Sequence, residues 1–517
     1  MRLSLVRTRR YLVSATVGAT LAAGVLLPGG SAAAQPAEPT VDGPLLSYLV
    51  ITAPSGHQVR QAEDAVVRSG GAVWASYPEI GVLVARSTHP GFAARLRAGH
   101  AVEMVGASRT TAITMNADDP TVVAPSAAPT SVSAGQDPLE PLQWDMRQIR
   151  ADQAHSVALG SRQVVVGVLD SGIDAAHPDL ADAVDPSLSA SCVDGGRVDT
   201  SPASWAPTTS GHGTHVAGTI AAARNGVGIV GVAPGVRLAA VKVVDDNGFI
   251  YGESAVCGFV WAAHHHFTVT NNSYFVDPWL YNCPDDPDQA AISVAVRRAI
   301  AFAERNGVLN VAAAGNFNDD LAHKAVDTFS PDDQPTALTR PITNECLSLP
   351  TEAPGVLAVS AVGALGVKAS YSSYGDGVVA VTAPGGDRFQ SPGPGQSTGV
   401  LSTLPGGRWG TLTGTSMASP HVVGVLALIA SAHRTPHPPR SPNCWSSRRP
   451  TRSSARPSTT STRMVPRTRP APDRRRTTGS TGTVWSTPST RSTPPTTPTA
   501  RRWIPRCLLV ALRAAEC

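Results

Sequence analysis

Aromatic side chains are sparse in this chain, at 5% of 517 residues, and lysine is scarce beside arginine. A core has to be filled by Ala, Val, Leu and Ile instead of rings. No His-Glu-x-x-His occurs, which disfavours a helical zinc peptidase. None of the 7 cysteines follows a zinc spacing. No internal repeat stands out. The formal net charge of +4 also misleads, because arginine is concentrated after His433, where Asp473 and Glu516 are the only acids. The remaining body is acidic, which argues against nucleic acid as a partner.

A long apolar run lies at the start. Arg2, Arg7, Arg9 and Arg10 precede the stretch Tyr11 to Leu27, followed by Pro28-Gly29-Gly30 and the small-residue site Ala32-Ala33-Ala34. That is the layout of a secretory signal, expected over 1–34. Ser14, Thr16 and Thr20 weaken the stretch as a membrane anchor, for which about 20 apolar residues are needed. Arg9-Arg10 also hints at a twin-arginine route. Export to the extracellular side permits disulfides. Cys192, Cys257, Cys283 and Cys346 allow two bridges in any of three pairings.

At this length more than one unit is expected. Short strands at Leu45 to Ala53, Val82 to Ala85 and Ala101 to Val105, with helical patterns at Val59 to Arg68 and Phe92 to Arg97, predict a small α+β unit. An Ala/Pro/Ser-rich linker, Ala117 to Gly135, follows it. From about Leu139, buried runs alternate with helical stretches: Val164 to Leu169, Leu238 to Val244, Thr268 to Thr270, Val308 to Ala313 and Val356 to Val362. The helical stretches are Gly213 to Ala223, Glu253 to His264 and Ile292 to Asn306. This alternation predicts an α/β fold, a parallel sheet covered by helices on both faces.

Three segments place a reactive side chain at the end of an element. Asp170 ends the run Val164 to Leu169, where ligands of open α/β sheets bind. His212 opens the helix that continues through Val216 to Ala223. Ser416 stands before the helix Val422 to Ser431. Singly, these are a turn former, a structural histidine and a helix cap. Together, in the chain order Asp, His, Ser, they fit one of the known serine-nucleophile triads.

Asp170-Ser171-Gly172-Ile173, His212-Gly213-Thr214-His215-Val216-Ala217-Gly218 and Gly414-Thr415-Ser416-Met417-Ala418-Ser419-Pro420 resemble the three signatures of the subtilisin-like serine proteases (subtilases, peptidase family S8). Ala312-Ala313-Ala314-Gly315-Asn316 resembles that family's oxyanion-hole segment. The resemblance implies a secreted bacterial serine endopeptidase with Asp170, His212 and Ser416 as triad and Asn316 as oxyanion donor. Ser273, Tyr274, Ala314 and Gly315 would bind substrate, although the family's Ser-Leu/Phe-Gly is here Ser273-Tyr274-Phe275, which leaves the side-chain preference open. It further implies that residues 35–138 hold a ferredoxin-like inhibitory propeptide (about 45–110) plus linker, and 139–434 the catalytic domain. Self-processing is expected between Thr110 and Leu139. No catalytic cofactor and no metal is expected, with a structural calcium ion left open. Asp245-Asp246-Asn247-Gly248 reads as a turn, with a calcium loop as the alternative. His264-His265-His266 reads as a helix end suited to the dipole, with metal binding as the alternative. The partners expected are protein or peptide substrates and the chain's own propeptide, with the enzyme a monomer.

Residues 435–517 are mostly Arg, Pro, Ser and Thr, a composition that cannot bury a core. A disordered stalk is one reading. A frameshift after Ala432 is another: a shifted frame turns Met464-Val465 into Gly and is compatible with Val at Trp485-Ser486. The restored string then resembles the Gly-x-Gly-x-Val-Asp-Ala signature near the end of subtilase domains. With the native end missing, an inactive subtilase-like product or a non-enzymatic binding protein is the rival to the peptidase.

Overall fold

The computed structural model describes residues 43–112 and 135–433. The signal segment, the linker core, the Arg-rich tail and Cys444, Cys507 and Cys517 lie outside the described residues. The chain divides into Met1–Asp42 and Gly43–Cys517, and everything below belongs to the second unit.

Residues 43–112 run β1 (Leu46–Ile51), α1 (Gly56–Arg68), β2 (Ala72–Tyr77), β3 (Val82–Ser87), α2 (Phe92–Ala98) and β4 (Met104–Ala107). Ser55 caps α1 by accepting from the Gln58 N–H. The sheet order is β2-β3-β1-β4 with antiparallel neighbours, the ferredoxin-like arrangement. Alternation splits its two faces. Tyr48, Val50, Leu83 and Val105 pack on Val59, Val66, Phe92 and Leu96 of the two helices. Leu49, Ile51, Val82 and Val84 point the other way, into the core of the larger region. β2 was not expected, because its residues are mostly half-buried and show no clean alternation.

The larger region opens with short helices α3 (Trp144–Gln148) and α4 (Ala151–Ala154). Its sheet is built from β5 (Val165–Asp170), β6 (Ala190–Asp194), β7 (Arg197–Asp199), β8 (Arg237–Lys242), β9 (Val269–Asn272) and β10 (Leu309–Ala313). Two-residue strands β11 (Val326–Asp327) and β12 (Arg340–Pro341) pair in a loop, and β13 (Val356–Val362) and β14 (Val381–Pro384) finish the sheet. The order is β14-β13-β10-β9-β5-β8-β6-β7, with parallel neighbours except β6 and β7. A hairpin, β15 (Val400–Leu404) and β16 (Arg408–Leu412), stands apart.

Helices cover both faces, as the buried strands require. α6 (Gly252–His264) and α7 (Pro287–Arg305) form one core with Leu169, Val241 and the inner face of the 43–112 sheet. α5 (His212–Ala221) and α8 (Thr415–Ala432) form the other with Val166, Val168, Val311 and Val359. Disulfides join Cys192 to Cys257 and Cys283 to Cys346, selecting one of the three pairings.

The 43–112 unit is seated on α6 and α7. The Gly106 backbone lies so close to the start of α7 that a Cβ there would stand 2.5 Å from Asp288 Cα. Asp288 Oδ1 accepts from Ala107 N–H at 3.0 Å and from Arg97 at 3.0 Å. Arg298 donates to Thr52 O and to Glu103, both at 2.6 Å.

Candidate active site

Asp170 stands at the carboxyl end of β5 with 2% of its surface exposed. Its Oδ1 accepts from the Ser171 N–H at 2.7 Å, which fixes the carboxylate plane. His212 is the first residue of α5, and its Nδ1 lies 2.8 Å from Asp170 Oδ1 and 3.0 Å from Oδ2. The close approach of α5 to β5 depends on Gly213, where a Cβ would stand 2.4 Å from the Gly172 carbonyl. Burial works against a protonated His212, but the charge and hydrogen bond of Asp170 outweigh it and raise its pKa above the ordinary imidazole value.

Ser416 sits in the first turn of α8, where backbone N–H groups are unpaired within the helix. It exchanges two hydrogen bonds with Ser273 just beyond β9. Ser416 Oγ donates to the Ser273 carbonyl at 3.3 Å, and Ser273 Oγ donates to the Ser416 carbonyl at 3.0 Å. The serine hydroxyl thus points at the β9 end and not at His212. Such a bond is often loose before substrate arrives.

Asn316 follows β10, reached through Gly315 at φ +100°, a left-handed conformation that suits glycine. Its Oδ1 accepts from the Thr415 N–H at 2.9 Å and the Thr415 hydroxyl at 2.8 Å, so its Nδ2 donor is left over for a ligand. Gly315 N–H in turn donates to Thr415 Oγ1 at 3.2 Å. Thr415 is therefore the clip between the Asn316 loop and α8, a role that its place beside Ser416 could have suggested.

Asp170, His212, Ser416, Asn316, Ser273, Tyr274 and Gly315 all line one cleft of about 620 Å³. Ala314 does not line it: this residue is buried, with its N–H on the Val359 carbonyl at 2.8 Å. One wall was not foreseen. Phe275, Phe317 and Phe329 form an aromatic trio with ring centroids 4.8–6.1 Å apart, and all three face the cleft.

Two further histidines near the cleft tie elements together. His215 Nε2 lies 3.1 Å from the Val400 carbonyl and 3.2 Å from that of Gly410, tying α5 to the β15–β16 hairpin. Burial pushes its pKa down to about 3, so the ring stays a neutral donor. His421 reaches Asp145 Oδ2 at 3.0 Å and the Met417 carbonyl at 2.7 Å, pinning α3 to α8.

The acidic turn is locally satisfied. Asp245 Oδ1 accepts from Asn247 and Phe249 N–H, and Asp246 pairs with Lys242 at 3.0 Å. His265 stacks on Trp261 at the end of α6, 3.7 Å between centroids. Among the described residues no group of three or more His, Cys, Asp or Glu side chains is arranged to hold a metal ion.

Comparison with known proteins gives concordant matches. The Subtilase family model (Peptidase_S8) matches residues 161–459, and so runs past the last described residue. Subtilisin NAT of Bacillus subtilis subsp. natto is 34% identical over 299 residues, covering 56% of this chain and 62% of that protein. Subtilisin of Bacillus pumilus is 34% identical over 299 residues, covering 56% of this chain and 86% of that protein. The chain thus spans less than two-thirds of the first of these relatives. Among solved structures, the epidermin leader peptide processing serine protease (EpiP) of Staphylococcus aureus superposes with a TM-score of 0.58 at 20% identity. That match covers 75% of this chain and 88% of that one.

Proposed function

The chain belongs to the subtilase family, and from that premise we propose that it is a secreted serine endopeptidase acting through Ser416, His212 and Asp170. The observation that carries this reading is the His212 Nδ1–Asp170 pair at 2.8 Å in the same cleft as Ser416 and Asn316. His212 Nε2 takes the Ser416 hydroxyl proton as Oγ attacks the peptide carbonyl. Asp170 holds the tautomer and stabilises the imidazolium. The Asn316 Nδ2 and Ser416 N–H groups donate to the tetrahedral oxyanion. His212 then gives the proton to the leaving amine, which departs with the C-terminal part of the substrate. Water, deprotonated by the same imidazole, cleaves the acyl-enzyme and restores Ser416.

Residues 43–112 act in this reading as an inhibitory and folding-assisting propeptide, removed by self-processing between Thr110 and Leu139. The substrates are extracellular proteins or peptides. A structural calcium ion is not needed for any step. A fluorophosphonate probe tests the whole reading: labelling of the processed protein that vanishes in Ser416→Ala supports it. Absence of labelling in well-folded, processed protein supports the rival, an inactive or purely binding member of the fold.

A further inference from the structure

Near the cleft the chain buries one of its own arginines in a pocket formed by Glu253 and Tyr251. After β4 the backbone continues as a strap, Ser108 to Ala112. Arg109 Nη2 lies 2.7 Å from Glu253 Oε1, with the arginine side chain 9% and the glutamate 0% exposed. The guanidinium also stacks on Tyr251, 3.8 Å from the ring centroid. Glu253 belongs to the first turn of α6, where the helix dipole favours a carboxylate. Burial alone would raise its pKa, but the charge of Arg109 and converging hydrogen bonds hold it below the ordinary glutamate value.

This pocket adjoins the cleft. Tyr251 follows Ile250, whose carbonyl accepts from the Asp277 N–H at 2.9 Å, and Ile250, Asp277 and Asp332 all line the cleft with Ser416. The next strap residues lie against the neighbour of Asp332. Thr110 N–H donates to Asp333 Oδ2 at 2.8 Å, Thr111 N–H to the same oxygen at 3.3 Å, and Gln334 Nε2 to the Thr110 carbonyl at 3.2 Å.

A buried carboxylate stripped of its cation is strongly disfavoured. Departure of the 43–112 unit would strip Glu253 in this way, leaving a guanidinium-shaped hole with a carboxylate floor and an aromatic wall. Arginine suits such a site through its planar fork and its stacking on rings. We propose that the Glu253–Tyr251 pocket is a recognition subsite for a basic side chain, arginine above all, of the peptide substrate, and that Arg109 occupies it until the 43–112 unit is removed. This rests on the peptidase reading above and names a substrate class for it.

Two measurements test it. For the processed enzyme, kcat/KM is compared between fluorogenic peptides carrying arginine or citrulline, its uncharged near-isostere, at each position flanking the scissile bond. The expected result is one position at which arginine is favoured about 10- to 100-fold, the range of a charge-assisted hydrogen bond, with the ratio falling towards one in Glu253→Gln. Equal cleavage of both peptides at every position overturns the proposal while leaving the peptidase reading intact.

The second measurement needs no activity. The full chain carrying Ser416→Ala and Arg109→Ala is melted with millimolar N-acetyl-arginine methylamide or its citrulline analogue. A rise in Tm with the arginine compound alone, abolished by adding Glu253→Gln, supports the pocket. Equal shifts, or none, overturn it. An enzyme that labels with no fluorophosphonate yet shows this selective shift refutes the peptidase reading and not the subsite.

Discussion

The two described regions are held together in different ways. The larger region is cross-tied internally. Besides its two cores it has two disulfides, the His215 link to the hairpin and the buried His421–Asp145 contact between elements 276 residues apart. The 43–112 unit has a modest private core, and one face of its sheet is completed by α6 and α7. A unit of about 70 residues is marginal by itself. The larger region is cross-linked within itself, whereas the smaller one draws part of its burial from its neighbour.

The largest effect is expected at Ser416. Replacing Ser416 by Ala is expected to lower kcat by about 10⁶, the size seen when a subtilisin nucleophile is removed. Because both cores are untouched, the full-length chain should accumulate unprocessed, visible by mass, with the 43–112 unit still attached. Asn316→Ala should cost about 10²–10³ in kcat, a magnitude also taken from a subtilisin, with KM little changed. Steady-state kinetics checks this.

Stability separates the two regions on a smaller scale. Asp145→Ala leaves buried His421 without its side-chain partner and should cost about 1–3 kcal/mol of the larger region's stability, read by denaturant titration of the processed enzyme. Gly106→Val should instead push β4 off the start of α7 and speed loss of the 43–112 unit. Limited proteolysis should show this without a change in the processed enzyme's melting.

The gentlest probe is pH. A raised His212 pKa means the imidazole is protonated, and useless as a base, up to a pH above its ordinary 6.5. The acid limb of kcat/KM should therefore lie above 6.5, with activity lost as pH falls through it. Asp170→Asn should move the limb to lower pH as well as reduce the rate. A limb at or below 6.5 in the native enzyme would mean that Asp170 does not hold the imidazolium as described.

Much of this architecture was legible in the residues. The β5, β8, β10 and β13 runs are apolar because both faces of a parallel sheet are covered. That Asp170, His212 and Ser416 stand at element ends around one cleft was legible because each sits in a short glycine-bearing segment. β2 was not, since its half-buried residues blur the alternation. β15 and β16 were missed because the hairpin's polar Ser402, Thr403 and Thr411 lack the pattern of a buried strand. The roles of Thr415, His215 and Glu253 depend on partners far along the chain, Arg109 and Glu253 being 144 residues apart. No local pattern records such a meeting.

The loop between Asn316 and Cys346 has one more consequence. It carries Phe317, Phe329 and Asp332 into the cleft, while Asp333 clasps Thr110 of the strap. A change in this loop that reshapes the cleft wall therefore also shifts the carboxylate that holds Thr110, so the two cannot be altered independently.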